Sequence, residues 1–526
     1  MVRLEMRYRR VRPPRSAARA AGAVAVAAML ALTAPVAAAA PARGGAAGRD
    51  AFAPVALPAY APAGAHLPFA GAEHAACSAP SVGRAACLAD VLVPASGASP
   101  NAYFGPPEVR TPTGLPPRTI EAAYGYSTSL EAGAGETVAV VDAYDDPAAT
   151  ANLETFSRQY GLPAASLTKV NQTGGSSPPA SEPGWDLEIS LDIQWVHAIA
   201  PAARILLVEA SSNSIADLLV AERYASEHAA YVSNSWGATE FAGESSGDAS
   251  FTHPGVSYFA ASGDERSIVW WPSASPDVTS VGGTTITFTA AGTIASETAW
   301  GKGGGGCSSY ESANPAQRTG SANCSGRRAT PDVALDGDPS SGVSVYDGIA
   351  YGGYTGWRTV GGTSAATAMW AAEAAAGADV IDPSGMIGAP LIYAQPARLP
   401  LRDITSGSNG HPALAGYDLA TGLGAWSNTP GAPGALTATG EIGRVKLTWS
   451  APTGAPAREY AIWRGGYSSR ETTLVARVPS SQTSYVDATV AERTTYYYEV
   501  GALNGAGSGP FSSQAWATAA RRPSQR

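Results

Sequence analysis

The chain has 526 residues, of which 45% are hydrophobic, and this length gives room for two or three domains with a large core. Its formal net charge at pH 7 is −9, although the first 19 residues carry seven Arg and one Glu. Removing the net charge of +6 on this segment leaves −15 on the remaining residues, which argues against binding to nucleic acid.

An Ala-rich apolar run follows this basic segment, from Ala20 to about Ala40, and ends in small residues. Such an order is typical of a secretory signal peptide. The proline within the run and the lack of stop-transfer charges argue against a membrane anchor. We therefore expect residues 1–40 to be a signal peptide and the protein to be secreted into the extracellular space.

Residues 41–118 are rich in Ala, Pro and Gly with weak periodicity, and we interpret them as a propeptide-like leader. The four cysteines occur in two close sets, Cys77 with Cys87 and Cys307 with Cys324. They form neither a CxxC motif nor a Cys/His cluster that suggests zinc. Two disulfides in an oxidising compartment are therefore expected.

Short apolar runs alternate with helical patterns from residue 137 onward. This part of the chain predicts strands at 137–142, 204–209, 230–234 and 257–261, and helices at 147–161, 185–199 and 214–228. Such alternation is typical of an α/β fold in which helices cover a parallel sheet.

The stretch GWDLEISLDIQWVHAIAP, residues 184–201, has the pattern of a buried helix, yet it contains two carboxylates. At about 100° per residue, Glu188 and Asp192 share one stripe with Trp195 and Ile199, and apolar residues flank that stripe on both sides. Like charges one turn apart in a buried site favour a pair that shares a proton. The alternative is that each carboxylate meets an Arg or a backbone donor inside the fold.

Ser364 follows a Gly-Gly-Thr turn at the start of an Ala-rich helix, in VGGTSAATAMW. A hydroxyl there can project into a cleft beside free backbone amides, although a serine at a helix start is more often a simple cap. As a nucleophile it needs a base. The histidines of residues 119–427 are His197, His228, His253 and His411; all lie outside Gly-rich strand ends, and His197 faces away from Glu188. The buried carboxylates are the better candidates for the base.

After NTPGAPGALTATG the pattern changes to alternating strands, as in RVKLTWSAP, REYAIWRGG and TTYYYEVGALN. In the last of these, Tyr496, Tyr498, Val500 and Ala502 share one face, as a sandwich strand requires. Residues 431–521 resemble a fibronectin type III module, a small all-β sandwich.

Four segments of residues 119–427 together resemble the sedolisins, a family of serine-carboxyl peptidases with a subtilisin-like fold. EISLD is similar to the family's Glu-x-x-x-Asp helix, ASGD to its oxyanion aspartate, GGTSAAT to its nucleophile turn, and RDITSG with GYDLATGLG to its calcium site. The resemblance implies that Ser364 is the nucleophile, Glu188 its base and Asp192 the partner of Glu188. It also implies that Asp264 is protonated and donates to the oxyanion, as a carboxylic acid kept neutral by its surroundings can.

The same resemblance implies a bound Ca²⁺, because calcium prefers hard oxygen ligands. Its ligands would be the side chains of Asp403 and Asp418 and the carbonyls of Ile404, Leu414 and Gly416. Ordinary solvated turn carboxylates are the alternative interpretation.

We expect a secreted, acid-favouring endopeptidase or tripeptidyl-type peptidase that acts on proteins or peptides through an acyl-enzyme on Ser364. It is expected to be a monomer that binds neither nucleic acid nor membranes, with a polymer or surface ligand for the fibronectin-like module. The main alternative is a catalytically inactive relative that serves in binding or adhesion. A glycosidase is a weaker alternative, because two carboxylates on one helical face cannot easily lie on opposite sides of a sugar.

Overall fold

The computed structural model describes residues 71–94, 108–127, 129–288, 294–320, 324–377, 392–393, 401–427, 430–452, 457, 459–468, 473–504 and 507–521. The predicted signal peptide and the first part of the predicted leader lie outside these residues. Within them, no helix is both long and apolar enough to cross a lipid bilayer.

The region before residue 428 contains six α-helices among its described residues: α1 Pro117–Tyr124, α2 Ala149–Tyr160, α3 Pro183–Ile199, α4 Ile215–His228, α5 Pro315–Gly320 and α6 Thr363–Ala376. Its strands are β1 Gly71–Ala75, β2 Ala86–Cys87, β3 Asp90–Pro94, β4 Glu108–Val109, β5 Thr137–Ala143, β6 Ser166–Asn171, β7 Arg204–Ala210, β8 Tyr231–Asn234, β9 Trp236–Thr239, β10 Ser257–Ala261, β11 Trp270–Trp271, β12 Val278–Phe288, β13 Ile294–Ala299, β14 Gly306–Ser312, β15 Arg327–Thr330, β16 Val333–Asp336, β17 Val343–Tyr351, β18 Tyr354–Gly361, β19 Leu401–Arg402 and β20 Ala425–Trp426.

A ten-stranded sheet forms the centre of this region, in the order β19-β20-β16-β12-β10-β8-β5-β7-β6, with β13 paired to β12. Every neighbouring pair from β20 to β6 is parallel. Helix α6 contacts five of these strands and also packs on α3, while α4 contacts β5 and β7. The predicted parallel α/β fold is confirmed, because continuous apolar runs such as VAVVDA become strands buried on both faces.

Strands from the predicted leader belong to this region as well. Strands β1 and β3 form a sheet with β18 and β17, and β2 pairs with β9. The cysteines form the two expected disulfides, Cys77–Cys87 and Cys307–Cys324.

The C-terminal region has its own core, in which Trp449, Tyr460, Ile462, Tyr498 and Val500 are buried. Its strands are β21 Gly434–Glu441, β22 Arg444–Ser450, β23 Glu459–Gly465, β24 Thr473–Pro479, β25 Ser484–Asp487, β26 Thr495–Asn504, β27 Gly507–Phe511 and β28 Ala515–Thr518. One sheet has the order β21-β22-β25, and the other has β24-β23-β26-β27 with β28 paired to β26. This arrangement confirms the predicted all-β sandwich.

Candidate active site

Helix α3 places both predicted carboxylates inside the protein. It begins at Pro183, and the Glu182 side chain caps it by accepting hydrogen bonds from the amides of Gly184 and Trp185 at 3.1 Å. Every residue from 184 to 199 is buried, and Glu188 and Asp192 are completely inaccessible to solvent. Neither carboxylate accepts a hydrogen bond of normal geometry within the described residues, so the alternative of an Arg or backbone partner is excluded there.

Burial raises the pKa of Glu188 well above its usual range, and the charges of Asp192 and of Asp142 raise it further. The nearby Ser364 hydroxyl opposes these effects by favouring the ionised form of Glu188. Burial also raises the pKa of Asp192 to about 8, although the nearby Ser235 hydroxyl acts to lower it. Since none of the described residues places a cation beside these carboxylates, the group retains at least one proton near neutral pH.

Asp142 is an acid of this cluster that the sequence analysis missed. It lies near the carboxyl end of β5, is fully buried, and finds no hydrogen-bond partner in the described part of the chain for either side-chain oxygen. Burial and the charges of Asp192 and Glu209 raise its pKa well above the usual value. The available signal was an acidic residue inside an otherwise apolar parallel strand, where the carboxyl end of the sheet is the usual place for a ligand site.

The Gly-Gly-Thr turn places Ser364 in the first turn of α6. Gly362 precedes the helix with φ +92° and ψ 161°, a conformation that is essentially restricted to glycine. The Ser364 hydroxyl is buried and donates a long hydrogen bond of 3.4 Å to the carbonyl of Ser235, which lies between β8 and β9. Because α6 packs on α3, this hydroxyl also lies beside Glu188.

Asp264, three residues after β10, is bound to the same turn. Its Oδ1 accepts hydrogen bonds from the amide and the hydroxyl of Thr363, both at 2.8 Å, whereas its Oδ2 is buried and no described residue bonds to it. Burial raises the pKa of Asp264 well above its usual range, and the charge of Asp90 adds to this effect. The two Thr363 donors and Lys302 act in the opposite direction. A proton on Oδ2 would therefore be free to donate to a bound oxygen.

The four predicted residues thus come together around α3 and the start of α6, although they lie far apart in the sequence. The histidine on α3 does not join them: His197 Nε2 lies 3.0 Å from the carbonyl of Pro163, and burial lowers its pKa. A hydroxyl, a group of buried carboxylates and a separate acid with a free oxygen can supply a nucleophile, a base and an oxyanion donor.

Comparisons with known proteins agree with this arrangement. The model of the subtilase family, Peptidase_S8, matches residues 134–380. The chain is 30% identical to kumamolisin from Bacillus sp. (strain MN-32) over 364 residues, which is 60% of this chain and 62% of kumamolisin. It is also 33% identical over 172 residues to sedolisin from Pseudomonas sp. (strain 101), covering 29% of this chain and 27% of sedolisin.

A solved structure of Pseudomonas sedolisin, complexed with two molecules of pseudo-iodotyrostatin, superposes with a TM-score of 0.51 at 27% identity. The match covers 60% of this chain and 96% of that one. The chain is thus similar to sedolisins in sequence and in fold. It spans less than two thirds of the length of kumamolisin.

The second group of predicted residues lies in the loop between β19 and β20. Asp403 Oδ2 accepts a hydrogen bond from the Gly416 amide at 2.7 Å, and Asp418 Oδ2 accepts one from the Leu414 amide at 2.8 Å. Both carboxylates therefore fold onto the same 414–418 turn. The Ile404 carbonyl, also at this loop, accepts a long bond of 3.5 Å from the Thr421 hydroxyl.

This donor set consists of oxygens alone, which fits a hard cation such as Ca²⁺. Within the described residues no three Asp, Glu, His or Cys side chains converge on one point. Backbone carbonyls would therefore have to supply the remaining ligands.

Proposed function

We propose that this chain is a serine-carboxyl peptidase, which hydrolyses peptide bonds through an acyl-enzyme on Ser364. The observation that carries the proposal is the Ser364 hydroxyl beside two buried carboxylates, with an Oδ2 of Asp264 at the same turn that has no partner among the described residues. The similarity to kumamolisin and sedolisin supports the same activity, with proteins or peptides as substrates.

In the proposed reaction Ser364 Oγ attacks the substrate carbonyl carbon and transfers its proton to Glu188, while Asp192 shares the charge of the pair. The negative oxygen of the tetrahedral intermediate accepts hydrogen bonds from the Ser364 amide and from protonated Asp264. Glu188 then returns the proton to the leaving amine, and a water molecule releases the acyl group by the same steps. Because Asp264 must stay protonated, we propose that activity is greatest in acid.

The competing proposal is a relative that binds or adheres without catalysis. A reagent that acylates or phosphonylates active serines separates the two, when the modified peptide is mapped in the wild type and in Ser364→Ala. We expect modification at Ser364 and loss of proteolysis in the variant, with wild-type secretion and melting. A matched control is Ser226→Ala, a buried serine on α4 whose hydroxyl bonds to the Glu222 carbonyl. Unchanged proteolysis by pure Ser364→Ala would favour the binding protein or another mechanism.

We further propose that Ca²⁺ binds at Asp403 and Asp418, with the carbonyls of Ile404, Leu414 and Gly416. A cation that binds only the folded state raises its stability by RT ln(1 + [L]/Kd), so chelation should lower the melting temperature. Asp403→Asn should lose most of this dependence, whereas Asp338→Asn, outside the loop, should retain it. Identical melting curves with chelator and with excess calcium, and no metal in the purified protein, would contradict the site.

We also propose that the protein is exported and acts outside the cell as a monomer, with a polymer or surface ligand for the C-terminal sandwich. The basic, then apolar, N-terminal segment and the two disulfides support export. The test is expression in a secreting host, with N-terminal sequencing of the protein in the medium. Retention of an intact N terminus inside the cell would argue against export.

A further inference from the structure

One face of the C-terminal sandwich carries aromatic side chains that its core does not use. In β26 the side chains of Tyr498, Val500 and Ala502 are completely buried, so the residues that alternate with them lie on the outer face of the sheet. Those residues include Tyr497 and Glu499. This outer face belongs to the sheet of β24, β23, β26 and β27, in which β28 also pairs with β26.

Cross-strand pairing brings four aromatic residues together on this outer face. We call them the aromatic row, which consists of Trp516, Tyr497, Trp463 and Phe511. Tyr497 of β26 is directly opposite Trp516 of β28. Two residues further along β26, Glu499 is opposite Trp463 of β23. After two more residues, Gly501 is opposite Phe511 of β27. Since a strand rises about 3.4 Å per residue, the row extends over roughly 13 Å.

Glycines leave room for the rings of the row to approach one another. Trp463 and Phe511 meet edge to face, with ring centroids 6.4 Å apart and ring planes at 85°. Gly501 of β26 lies between their strands, so no side chain separates the two rings. Gly465, which is opposite Tyr497, likewise adds no side chain between Tyr497 and Trp463.

The row is accessible to a ligand. Trp516 is 63% exposed and Phe511 is 38% exposed, while Trp463 and Tyr497 are half-buried. Leu474 of β24, opposite Trp463, is 41% exposed and extends the apolar surface toward one edge of the sheet. Contiguous exposed apolar side chains with a polar surround mark a binding surface.

The charged groups on this face favour an uncharged ligand. The described strands present Glu459, Arg477 and Glu499 there, and Arg477 forms an ion pair with Glu459. Glu499, opposite Trp463, would repel the phosphates of a nucleic acid or of an anionic membrane. No basic strip accompanies the rings in the described part of the sandwich, as binding to phosphates requires. A carboxylate among aromatic rings instead accepts hydrogen bonds from hydroxyl groups.

The area of the row is small for a protein partner. A fully covered aromatic side chain buries about 150–250 Å², so the exposed parts of the four rings and of Leu474 offer roughly 400–500 Å². Each partner in a stable protein–protein interface buries about 800 Å². A second copy of this chain or a globular partner would therefore need more surface than the row provides, whereas a chain one sugar wide needs less.

We propose that the aromatic row binds a neutral polysaccharide, whose pyranose rings stack on the four aromatic side chains. The C–H face of a pyranose is apolar, and its hydrogens carry the partial positive charge that the face of an aromatic ring attracts. The hydroxyl groups at the edge of the sugar donate to Glu499 or to water. A length of roughly 13 Å accommodates a few consecutive sugars of an extended chain.

This inference rests on the proposed polymer or surface ligand of the sandwich and gives that ligand a chemical class. It is independent of the chemistry at Ser364. A bound polysaccharide would hold the peptidase at an insoluble polymer and raise its effective concentration toward proteins embedded there.

The test measures how much of the full-length protein is removed from solution by powdered cellulose and by powdered chitin, at about 0.15 M and about 1 M NaCl. We expect binding to at least one powder, with equal affinity at both salt concentrations. Salt screens attraction between charges but does not weaken stacking on an uncharged sugar.

Variants of the row identify the surface that binds. Trp516→Ala should weaken binding at least about tenfold, whereas Trp516→Tyr, which keeps a ring, should weaken it less than about threefold. Phe511→Ala, at the other end of the row, should also weaken binding. Both side chains are exposed, so melting temperatures near that of the wild type are expected. The matched control is Tyr310→Ala, which removes a 45% exposed ring from β14 and should bind like the wild type.

Binding to neither powder, or equal binding by the wild type and by folded Trp516→Ala and Phe511→Ala, would overturn the inference. A dimer or a complex with a proline-rich peptide that Trp516→Ala abolishes would overturn it as well, if neither powder is bound. Hydrolysis of a short peptide by the same preparations reports the peptidase separately, and its kcat/KM should be unchanged in Trp516→Ala. Binding without any hydrolysis would contradict the proposed function and support this inference.

Discussion

Gly362 has a conformation restricted to glycine. A Cβ atom added there would also lie very close to the Leu88 carbonyl oxygen and to Oδ2 of Asp264. Gly362→Ala should therefore both strain the nucleophile turn and crowd the oxygen of Asp264 that donates to the oxyanion. Backbone strain of about 1–3 kcal/mol, together with this clash, predicts a fall in kcat/KM of roughly 100-fold or more.

The matched control is Gly255→Ala. Gly255 also has a positive φ, +83°, but an added Cβ there would meet nothing within 4 Å. It should lose some stability and keep kcat/KM within about twofold, since its cost is backbone strain alone. Equal activities for the two variants would contradict the role given to the Gly362 turn.

Several residues of the site could be predicted from the sequence because each stands in a distinctive local pattern. Glu188 and Asp192 interrupt an apolar helix, and Ser364 follows two glycines. Ser235 has no such pattern, and the acidic Asp142 in an apolar strand does not by itself indicate that it joins the pair. Their proximity to the pair depends on which strands are neighbours in the sheet, and a local pattern does not contain that order.

At the scale of elements, α3 holds Glu188 and Asp192 in place, and its first turn depends on the Glu182 cap. Glu182→Ala should cost about 1 kcal/mol of stability and reduce kcat, because the fraying turn lies next to Glu188. Ser214 caps α4, because its hydroxyl accepts a hydrogen bond from the Asp217 amide at 3.1 Å. Ser214→Ala removes this cap. It should lower the melting temperature by a similar amount without changing kcat. A lower kcat in Ser214→Ala alone would contradict this distinction.

The long elements were predicted to within a few residues, since α2, α3, α4, β5 and β10 have strong apolar periodicity. The strands of the predicted leader were not predicted. Strand β2 has two residues and exists through its pairing with β9, and β3 depends on β18. Pairing between distant segments, rather than local propensity, determines such strands.

At the scale of the whole molecule, many buried acids favour the protonated state. Burial raises the pKa of Glu222, Asp336 and Glu373 well above the usual range, whereas the lowered carboxyl pKa values in the described part belong to Asp217 and Asp487. A carboxyl group whose pKa is higher in the folded than in the unfolded state stabilises the fold when it is protonated. This stabilisation is complete below the unfolded-state pKa, near 4, and is lost as the pH rises through the folded-state pKa. The melting temperature should therefore fall between about pH 5 and pH 8.

Glu222→Gln tests this explanation, because its amide does not titrate. The melting temperature of Glu222→Gln minus that of the wild type should become more positive as the pH rises. A wild-type melting temperature that increases from pH 5 to pH 8 would contradict the account.

The separate cores of the two regions predict that the sandwich is dispensable for chemistry. A chain that ends near residue 428 should hydrolyse a short peptide with a kcat/KM within about threefold of the full chain, because the site lies wholly before that point. Circular dichroism and melting would establish that the shorter chain is folded. A folded truncation without turnover would show that the sandwich contributes to the site.

The most direct test of the serine-carboxyl mechanism is kcat/KM for one peptide from about pH 2.5 to 9, in the wild type and in Glu188→Gln, with Glu222→Gln as the control. Activity should fall at low pH as the carboxylate pair takes up its last proton, and at high pH as Asp264 loses the proton it donates. We predict a bell with its maximum below pH 7 in the wild type and the control, and a rate at least about 100-fold lower in Glu188→Gln. A plateau from about pH 7.5 to 9, as a histidine base would give, or a near-normal rate in Glu188→Gln, would contradict the mechanism.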